Sequence, residues 1–499
     1  MKFSIIVAYT FNKNGIGFKG QLPWSLKSDM KYFRTKTTKV IEDENIQYIN
    51  TVIMGSTTWN SIAESNKPLK NRINIIITRK PLQSNNKFII YTTWENLFKV
   101  LVEFNNKKHK INNKFYKIQN NFIIGGESIY KLALHKLNID SIFTTEIYSK
   151  IECDTFFPNI YDMIGNNKFK VSECSPFFKE NNLDYRFISY INTSNIDKNS
   201  SNNNIWKNTE ELIYLEHMKN ILEKGIERTD RTNTGTISEF GLMMKYNLQD
   251  TFPISTTKKI FLRAIFEELM LYLRGQTDNK ILNEKKINIW NGNTSREFLD
   301  KRGLQDYDEG DMGETYGFNF RHFGGEYKGC NEEYPSSCGF DQLKYVINLI
   351  KKDPTSRRII INLWNPKTLH KAALPSCLCM YQFYVDTQHN LLNLQIYIRS
   401  SDYFLANNWN TCTGALFVHM ICSLSYISLK PGILTVVCGD AHIYKTHVSF
   451  VRENLKREPF PFPKLIVENK KDKISEFEWE NIKLIGYRSH PSISAPMAV

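Results

Sequence analysis

Nine cysteines are spread along 499 residues, and one of them, Cys377, closes the run Ala373-Leu374-Pro375-Ser376-Cys377. A thiol becomes a nucleophile when it ionises, which a nearby positive field favours; otherwise a cysteine behaves as a small buried hydrophobe. Cys379 stands close by, but no second pair at zinc spacing accompanies it, so no structural metal site is expected. Asp29 is a lone carboxylate bracketed by Leu26 and Met30, one helical turn before Phe33. Burial in an apolar pocket raises such a group's pKa and fits it for proton transfer; the plain alternative is a charge in a helix's first turn. Gly125-Gly126 ends an apolar run just before a helix start at Glu127, so backbone can approach an anion with helix N–H groups facing it. Gly15-Ile16-Gly17-Phe18-Lys19-Gly20 matches the dinucleotide fingerprint only formally. Gln21-Leu22-Pro23-Trp24 follows where a helix should open, and no acidic residue sits at the expected distance. A Gly-hinged loop is expected there instead.

The elements that must position these groups divide the chain in two. The polar stretch from Asn192 to Asn204 lacks apolar periodicity, which gives a first domain at 1–191, a linker at 192–208 and a second domain at 209–499. The first alternates strand signals (3–9, 51–54, 73–78, 121–124, 141–147) with helical patterns near 94–104 and 127–136, the mark of an α/β sheet domain. The second reads as α+β. It has a helix from Glu210 to Glu223 closed by Gly225, an apolar helix near 260–273, and strand-like runs at 358–363, 380–386, 391–398 and 433–437. Residues 1–200 hold 28 Lys+Arg and 17 Asp+Glu, so most of the net charge of +14 lies there. A basic first part admits nucleic acid, a membrane surface or small anions as partners. No apolar run reaches membrane-spanning length, and the start, Met1 to Tyr9, is read as a buried strand rather than a signal peptide. An odd number of cysteines without a secretory signal points to reduced thiols, hence a cytoplasmic protein with no membrane association.

Read together, the segments carry two resemblances. Gly15-Ile16-Gly17, Leu22-Pro23-Trp24, Asp29, Phe33, Val52-Ile53-Met54-Gly55, Thr58-Trp59, Pro68 to Arg72, Thr78-Arg79, Ile123 to Tyr130 and Asp154 to Pro158 resemble dihydrofolate reductase in order and spacing across residues 1–191. The resemblance implies a mostly parallel sheet flanked by helices, and a hydride transfer from NADPH to dihydrofolate. Asp29 would then bind the pterin and Trp24 would order water beside it. Arg72 would clamp the folate α-carboxylate, since a planar guanidinium suits a bidentate pair. Ile6, Ala8, Met30, Phe33, Ile124, Tyr130 and Thr145 would complete the folate pocket. Ala8, Ile16, Gly17, Thr57, Thr58, Thr78, Arg79, Gly125, Gly126, Glu127, Ser128 and Ile129 would line the cofactor. Ser56 stands where the family often has Arg or Lys aimed at the 2′-phosphate; Arg79 is kept, so NADPH remains the expectation.

Asp230 to Thr236, Phe252-Pro253, Thr256 to Lys259, Glu267-Glu268-Leu269, Ile289-Trp290, Ser295 to Leu299, Tyr316-Gly317, Ser356-Arg357-Arg358, Ala373 to Cys377, Arg399 to Asp402 and Gly439 to Tyr444 resemble thymidylate synthase across 209–499. A reductase fused ahead of a synthase is the arrangement of the bifunctional enzymes of protozoa and plants. The resemblance implies that C5 of dUMP is methylated by 5,10-methylenetetrahydrofolate, with the Cys377 thiolate adding to C6. Arg231, Arg357, Arg358 and Arg399 would hold the phosphate and favour the thiolate. Ser400, Asp402, His442 and Tyr444 would complete the nucleotide site, and Glu268, Tyr316 and Asn410 would serve catalysis. Ile289, Trp290, Asp402, Leu405 and Ala498 would meet the folate.

The adjacent pair Arg357-Arg358 would reach the neighbouring subunit's site, making the protein a homodimer with shared sites; taken alone it reads as a solvated turn. By the same resemblance Asn410 would read the uracil O4/N3 edge with its amide, and since related deoxycytidylate hydroxymethylases have Asp there, Asn410 favours dUMP. The chain departs from the family at Leu378 (usually His), Ser376, Ile398, 405–410 and 411–414. Those departures leave open a pyrimidine hydroxymethylase, or a degenerate synthase half acting as an RNA-binding scaffold. No RNA-binding module or aromatic–basic ladder is present in the sequence, so RNA is not the expected partner.

Overall fold

The computed structural model describes residues 1–41, 43, 47–106, 110–111, 114–165, 168–196, 205–230 and 234–496. The expected sites Arg231 and Ala498, and much of the expected linker, lie outside them. The chain forms two compact units, Met1–Trp206 and Lys207–Val499. Among the described residues, no helix is long and apolar enough to cross a membrane.

The first unit runs β1 (Phe3–Thr10), β2 (Gly15–Gly17), α1 (Lys27–Thr38), β3 (Gln47–Gly55), α2 (Ser56–Ser61), β4 (Arg72–Ile77), β5 (Ile89–Thr92) and α3 (Leu97–Asn106). It continues with β6 (Lys110–Ile111), β7 (Lys114–Gly125), α4 (Glu127–Lys136), β8 (Ser141–Ile147), β9 (Thr155–Phe156), α5 (Tyr161–Gly165), β10 (Phe169–Cys174), β11 (Phe178–Glu180) and β12 (Leu183–Asn192). The main sheet has the order β10–β12–β8–β1–β7–β3–β4–β5. It is parallel from β8 to β5 and antiparallel at β12. Every residue of β4 is buried, as its near-continuous isoleucine run requires of a strand covered on both faces.

Two strands outrun their apolar signals. β3, expected at 51–54, extends back to Gln47 through the buried Asn50, and β7, expected at 121–124, extends back to Lys114; Asn50 donates to the Thr37 and Lys39 carbonyls. Buried polar groups with partners leave no mark in a hydrophobicity pattern. The expected loop at 15–17 is corrected to a short strand, because β2 pairs with β9.

The second unit contains α6 (Thr209–Lys224), β13 (Ile226–Arg228), β14 (Thr236–Asn247), α7 (Leu262–Leu273), α8 (Lys280–Glu284), α9 (Arg296–Lys301), α10 (Tyr316–Arg321) and α11 (Gln342–Lys352). It ends with β15 (Ile360–Asn362), β16 (Leu378–Asp386), β17 (Leu391–Asp402), α12 (Asn407–Cys422), β18 (Lys430–Tyr444), α13 (Val448–Asn454), β19 (Lys464–Val467) and β20 (Ile482–Ile485). The main sheet runs β13–β14–β18–β17–β16–β15, antiparallel except for the pair β17–β18. Its core is built with α7 and α12, which are buried along nearly their whole lengths. The expected helix at 260–273 starts at Leu262, and the expected strand at 358–363 is confined to 360–362.

Candidate active sites

In the first unit, the order β8–β1–β7–β3 puts β7 between two strands that the chain visits earlier. Such switch points in open sheets leave a crevice at the carboxyl ends of the strands. A cleft of about 2170 Å³ lies there. It is lined by every residue expected to bind cofactor or folate except Trp24 and Thr145. Thr145 contributes indirectly: its hydroxyl donates to Asp29 Oδ1 at 2.6 Å from the adjacent strand β8. Asp29 is only 9% exposed. Burial pushes its carboxyl above the usual range, the Thr145 bond pulls it partly back, and Glu180 adds to the rise. Met30, expected to help enclose Asp29, is 54% exposed and stands at the rim, because it follows Asp29 by one residue and turns to the outer side of α1. Trp24 packs with Leu26, Ile147 and Tyr185, and its indole N–H is buried with no protein partner among the described residues.

Arg72 is 5% exposed at the start of β4. Its Nη1 donates to Thr37 at 2.7 Å, its Nε to the Lys70 carbonyl at 3.0 Å, and the guanidinium lies over the Phe33 ring. Burial and Arg34 lower its pKa to about 10. At the other end of the cleft, Gly125 has φ +123°, a conformation that favours glycine. Gly126 is the N-cap of α4, and a Cβ there would meet Thr58 Oγ1 at 3.2 Å, so the backbone surface beside Thr58 stays open. Tyr130 anchors the helix to the sheet by donating to the Ile6 carbonyl at 2.9 Å. Glu127 is engaged, accepting from the Phe156 amide and from Lys131.

Sequence reasoning missed Glu180 altogether. From the tip of the β11–β12 hairpin, its carboxylate accepts the first amides of α1, those of Lys27 (2.6 Å) and Ser28 (3.2 Å). A glutamate some 150 positions away carries no local signal for that cap. Lys80 and Lys131, also unforeseen, add cations to the cleft lining.

In the second unit, strand direction assembles the site. β16 is antiparallel to β17, so Cys377, just before β16, adjoins the end of β17; the Arg399 amide donates to the Cys377 carbonyl at 2.9 Å. β18 runs parallel to β17, which sets Ser400 opposite Asp440 and Asp402 opposite His442. Thr236, at the start of β14, lies opposite Tyr444. Arg399 also donates to the Pro375 and Ser376 carbonyls, bracing the loop that presents Cys377. Tyr316, at the start of α10, accepts the Cys377 amide at 2.8 Å and the Leu378 amide at 3.3 Å. His442 is held by Asp440 at 3.0 Å, and Asp440 in turn by Arg228. Asp402 accepts the amides of Phe404 and Leu405.

Glu268, on α7, is buried and receives three donors: Trp290 Nε1 (2.8 Å) and Tyr272 hydroxyl (2.9 Å) on Oε1, and Trp409 Nε1 (2.6 Å) on Oε2. Burial raises its pKa and the three bonds oppose that rise. Tyr272 and Trp409 were not foreseen as its partners. Ile289 packs at the edge of the core near Trp290, and Asn410 stands one residue after Trp409 on α12. Arg357 and Arg358 are exposed on the loop after α11.

Comparison with known proteins agrees with both halves. The dihydrofolate reductase family profile matches residues 2–192, and the thymidylate synthase profile matches residues 212–499. The chain is 38% identical to a bifunctional dihydrofolate reductase-thymidylate synthase of Glycine max, covering 100% of this chain and 95% of that one. It is 37% identical to the corresponding protein of Paramecium tetraurelia (100% and 99% covered) and 34% identical to that of Plasmodium chabaudi (97% and 94%). With both profiles matched in tandem and relatives of the fused kind aligned over the whole chain, the chain belongs to the bifunctional dihydrofolate reductase–thymidylate synthase family.

Proposed function

We propose that the second unit converts dUMP and 5,10-methylenetetrahydrofolate into dTMP and dihydrofolate, and that the first reduces this dihydrofolate to tetrahydrofolate with NADPH. The observation that carries the reading is the convergence of Cys377, Arg399, Asp402 and His442 at one end of the second sheet, in a chain whose first sheet ends in a cleft around Asp29.

In the synthase unit, the Cys377 thiolate adds to C6 of the uracil ring and makes C5 nucleophilic toward the folate methylene. Arg399 braces the cysteine loop and offers its remaining N–H groups to the phosphate. Tyr316 fixes the Cys377 backbone, and Asn410 reads the uracil edge. Glu268 supports proton movement at the ring. The phosphate is completed by Arg357 and Arg358 of a second copy in a twofold homodimer. Exposure of both arginines supports this, as does the outer face of the sheet. One register row there, Met243–Val437–Tyr397–Met380, faces away from the helices with Met243 exposed, and Tyr384, four residues along β16 from Met380, is exposed as well.

In the reductase unit, Asp29 holds the pterin and supports its protonation, while Arg72 takes the folate α-carboxylate. The cleft fits an extended anionic cofactor: Gly126 leaves no Cβ against Thr58, and α4 directs its first amides at the same place. Bound NADPH supplies the hydride. Thr57, Thr58 and Thr78 offer hydroxyls along its path, and Arg79 with Lys80 offers charge to the 2′-phosphate beside Ser56.

The test uses Asp29→Asn to silence the reductase. Given dUMP and methylenetetrahydrofolate, this variant forms dTMP and dihydrofolate in equal amounts. Hydroxymethylation would instead release tetrahydrofolate with no dihydrofolate, and that result would overturn the reading.

A further inference from the structure

Glu268 has an acidic neighbour, Glu267, that shows by contrast how its own charge is managed. Glu267 is met by Lys285 at 2.6 Å and by Arg263 at 3.9 Å. Glu268, pointing inward from the same helix, pairs with no lysine, arginine or histidine among the described residues. Its ionised form is supported by N–H and O–H dipoles alone, from Tyr272 on its own helix, Trp290 after α8 and Trp409 on α12. The other titratable groups that feel its charge are Tyr316 on α10 and Tyr381 on β16, and neither is a cation. The residue after the nucleophile, Leu378, is apolar and buried in the core, so no ionisable group comes from there.

Two of the three donors share Oε1, and among the described residues Trp409 alone holds Oε2, through the shortest of the three bonds. Tyr272 also stacks on Tyr316 at 4.9 Å, and Trp290 meets the same ring edge-on at 6.2 Å. The carboxylate is thus fixed in an aromatic layer that continues, through the Tyr316 hydroxyl, to the backbone of Cys377. We propose that Trp409 is a positioning residue of the synthase reaction: its indole N–H anchors Glu268 Oε2 and favours the ionised form of that carboxylate beside Tyr316. The proposal rests on the reading of the second unit as a synthase and adds a residue through which Glu268 is set.

Trp409→Phe keeps a ring and removes the N–H. A hydrogen bond to a charged group is worth enough to move a carboxylate by about one pH unit. The acidic limb of kcat for dTMP formation is therefore expected to move up by about one unit, with KM for dUMP within about twofold and activity recovering as pH is raised. Tyr272→Phe, which removes a donor from the other oxygen, shifts the limb the same way by less. It is the second variant if Trp409→Phe does not fold, as judged by thermal unfolding.

A readout independent of turnover is the infrared carboxyl band that disappears in Glu268→Gln; in Trp409→Phe this band titrates at higher pH than in the wild type. A lower kcat at every pH with an unmoved limb and an unmoved band would make Trp409 a packing residue and overturn the proposal. Failure of the wild type to form dTMP would instead overturn the synthase reading, while the infrared titration would still decide the role of Trp409.

Discussion

The Thr145 hydroxyl donates to Asp29 Oδ1 at 2.6 Å, joining residues 116 positions apart. Burial and, to a lesser degree, Glu180 raise the Asp29 pKa and this bond lowers it, so together they set the pH at which the carboxyl titrates. Thr145→Val leaves burial in place and removes the donor, so the pKa rises further. If protonated Asp29 assists hydride transfer, the alkaline limb of the reductase rate moves to higher pH by about one unit. The pH dependence of single-turnover NADPH oxidation checks this; an unmoved limb would separate Asp29 from that step.

Arg72 lines the cleft with a planar fork that is held by Nη1 on Thr37 and Nε on the Lys70 carbonyl. Arg72→Lys keeps the charge and loses the fork. The expected result is a rise of about tenfold in KM for dihydrofolate, the worth of one charge-assisted hydrogen bond, with a smaller change in kcat. Steady-state kinetics with NADPH saturating measures both. An unchanged KM would remove Arg72 from folate recognition.

Cys377→Ser replaces the proposed nucleophile with a hydroxyl that does not ionise near neutral pH. dTMP formation should fall about a thousandfold or more, with NADPH-dependent dihydrofolate reduction by the same chain unchanged. Survival of dTMP formation would move the nucleophile elsewhere.

If Arg357 and Arg358 serve the neighbouring copy, two inactive variants complement each other. In a hybrid of Cys377→Ser with Arg358→Ala, one site carries both defects and the other carries neither. Mixing, unfolding and refolding the two in equal amounts should restore about a quarter of wild-type dTMP formation. No recovery would place Arg358 in its own subunit's site, or outside both.

The sequence by itself determined the elements with strong local patterns and the residue types that do chemistry. The isoleucine run of β4, the Gly125-Gly126 step into α4 and the cysteine at 377 are all legible because strand burial, helix starts and nucleophiles leave signatures within a few residues. Motif order carried the expected site residues further than periodicity did. The cleft gathers nearly all of those assigned to the reductase, and the strand ends of the second sheet gather Cys377, Arg399, Asp402 and His442.

The tertiary structure alone decided which groups set those residues. Glu180 caps the helix that carries Asp29, Thr145 reaches it across the sheet, and Trp409 closes on Glu268 from 141 positions away. A side chain's protonation state and aim depend on burial and on donors within a few ångströms, and chain distance does not encode that proximity. The long polar extensions of β3 and β7 were hidden for the same reason. Asn50, buried in the extension of β3, is stabilised by the Thr37 and Lys39 carbonyls, partners that only folding brings together.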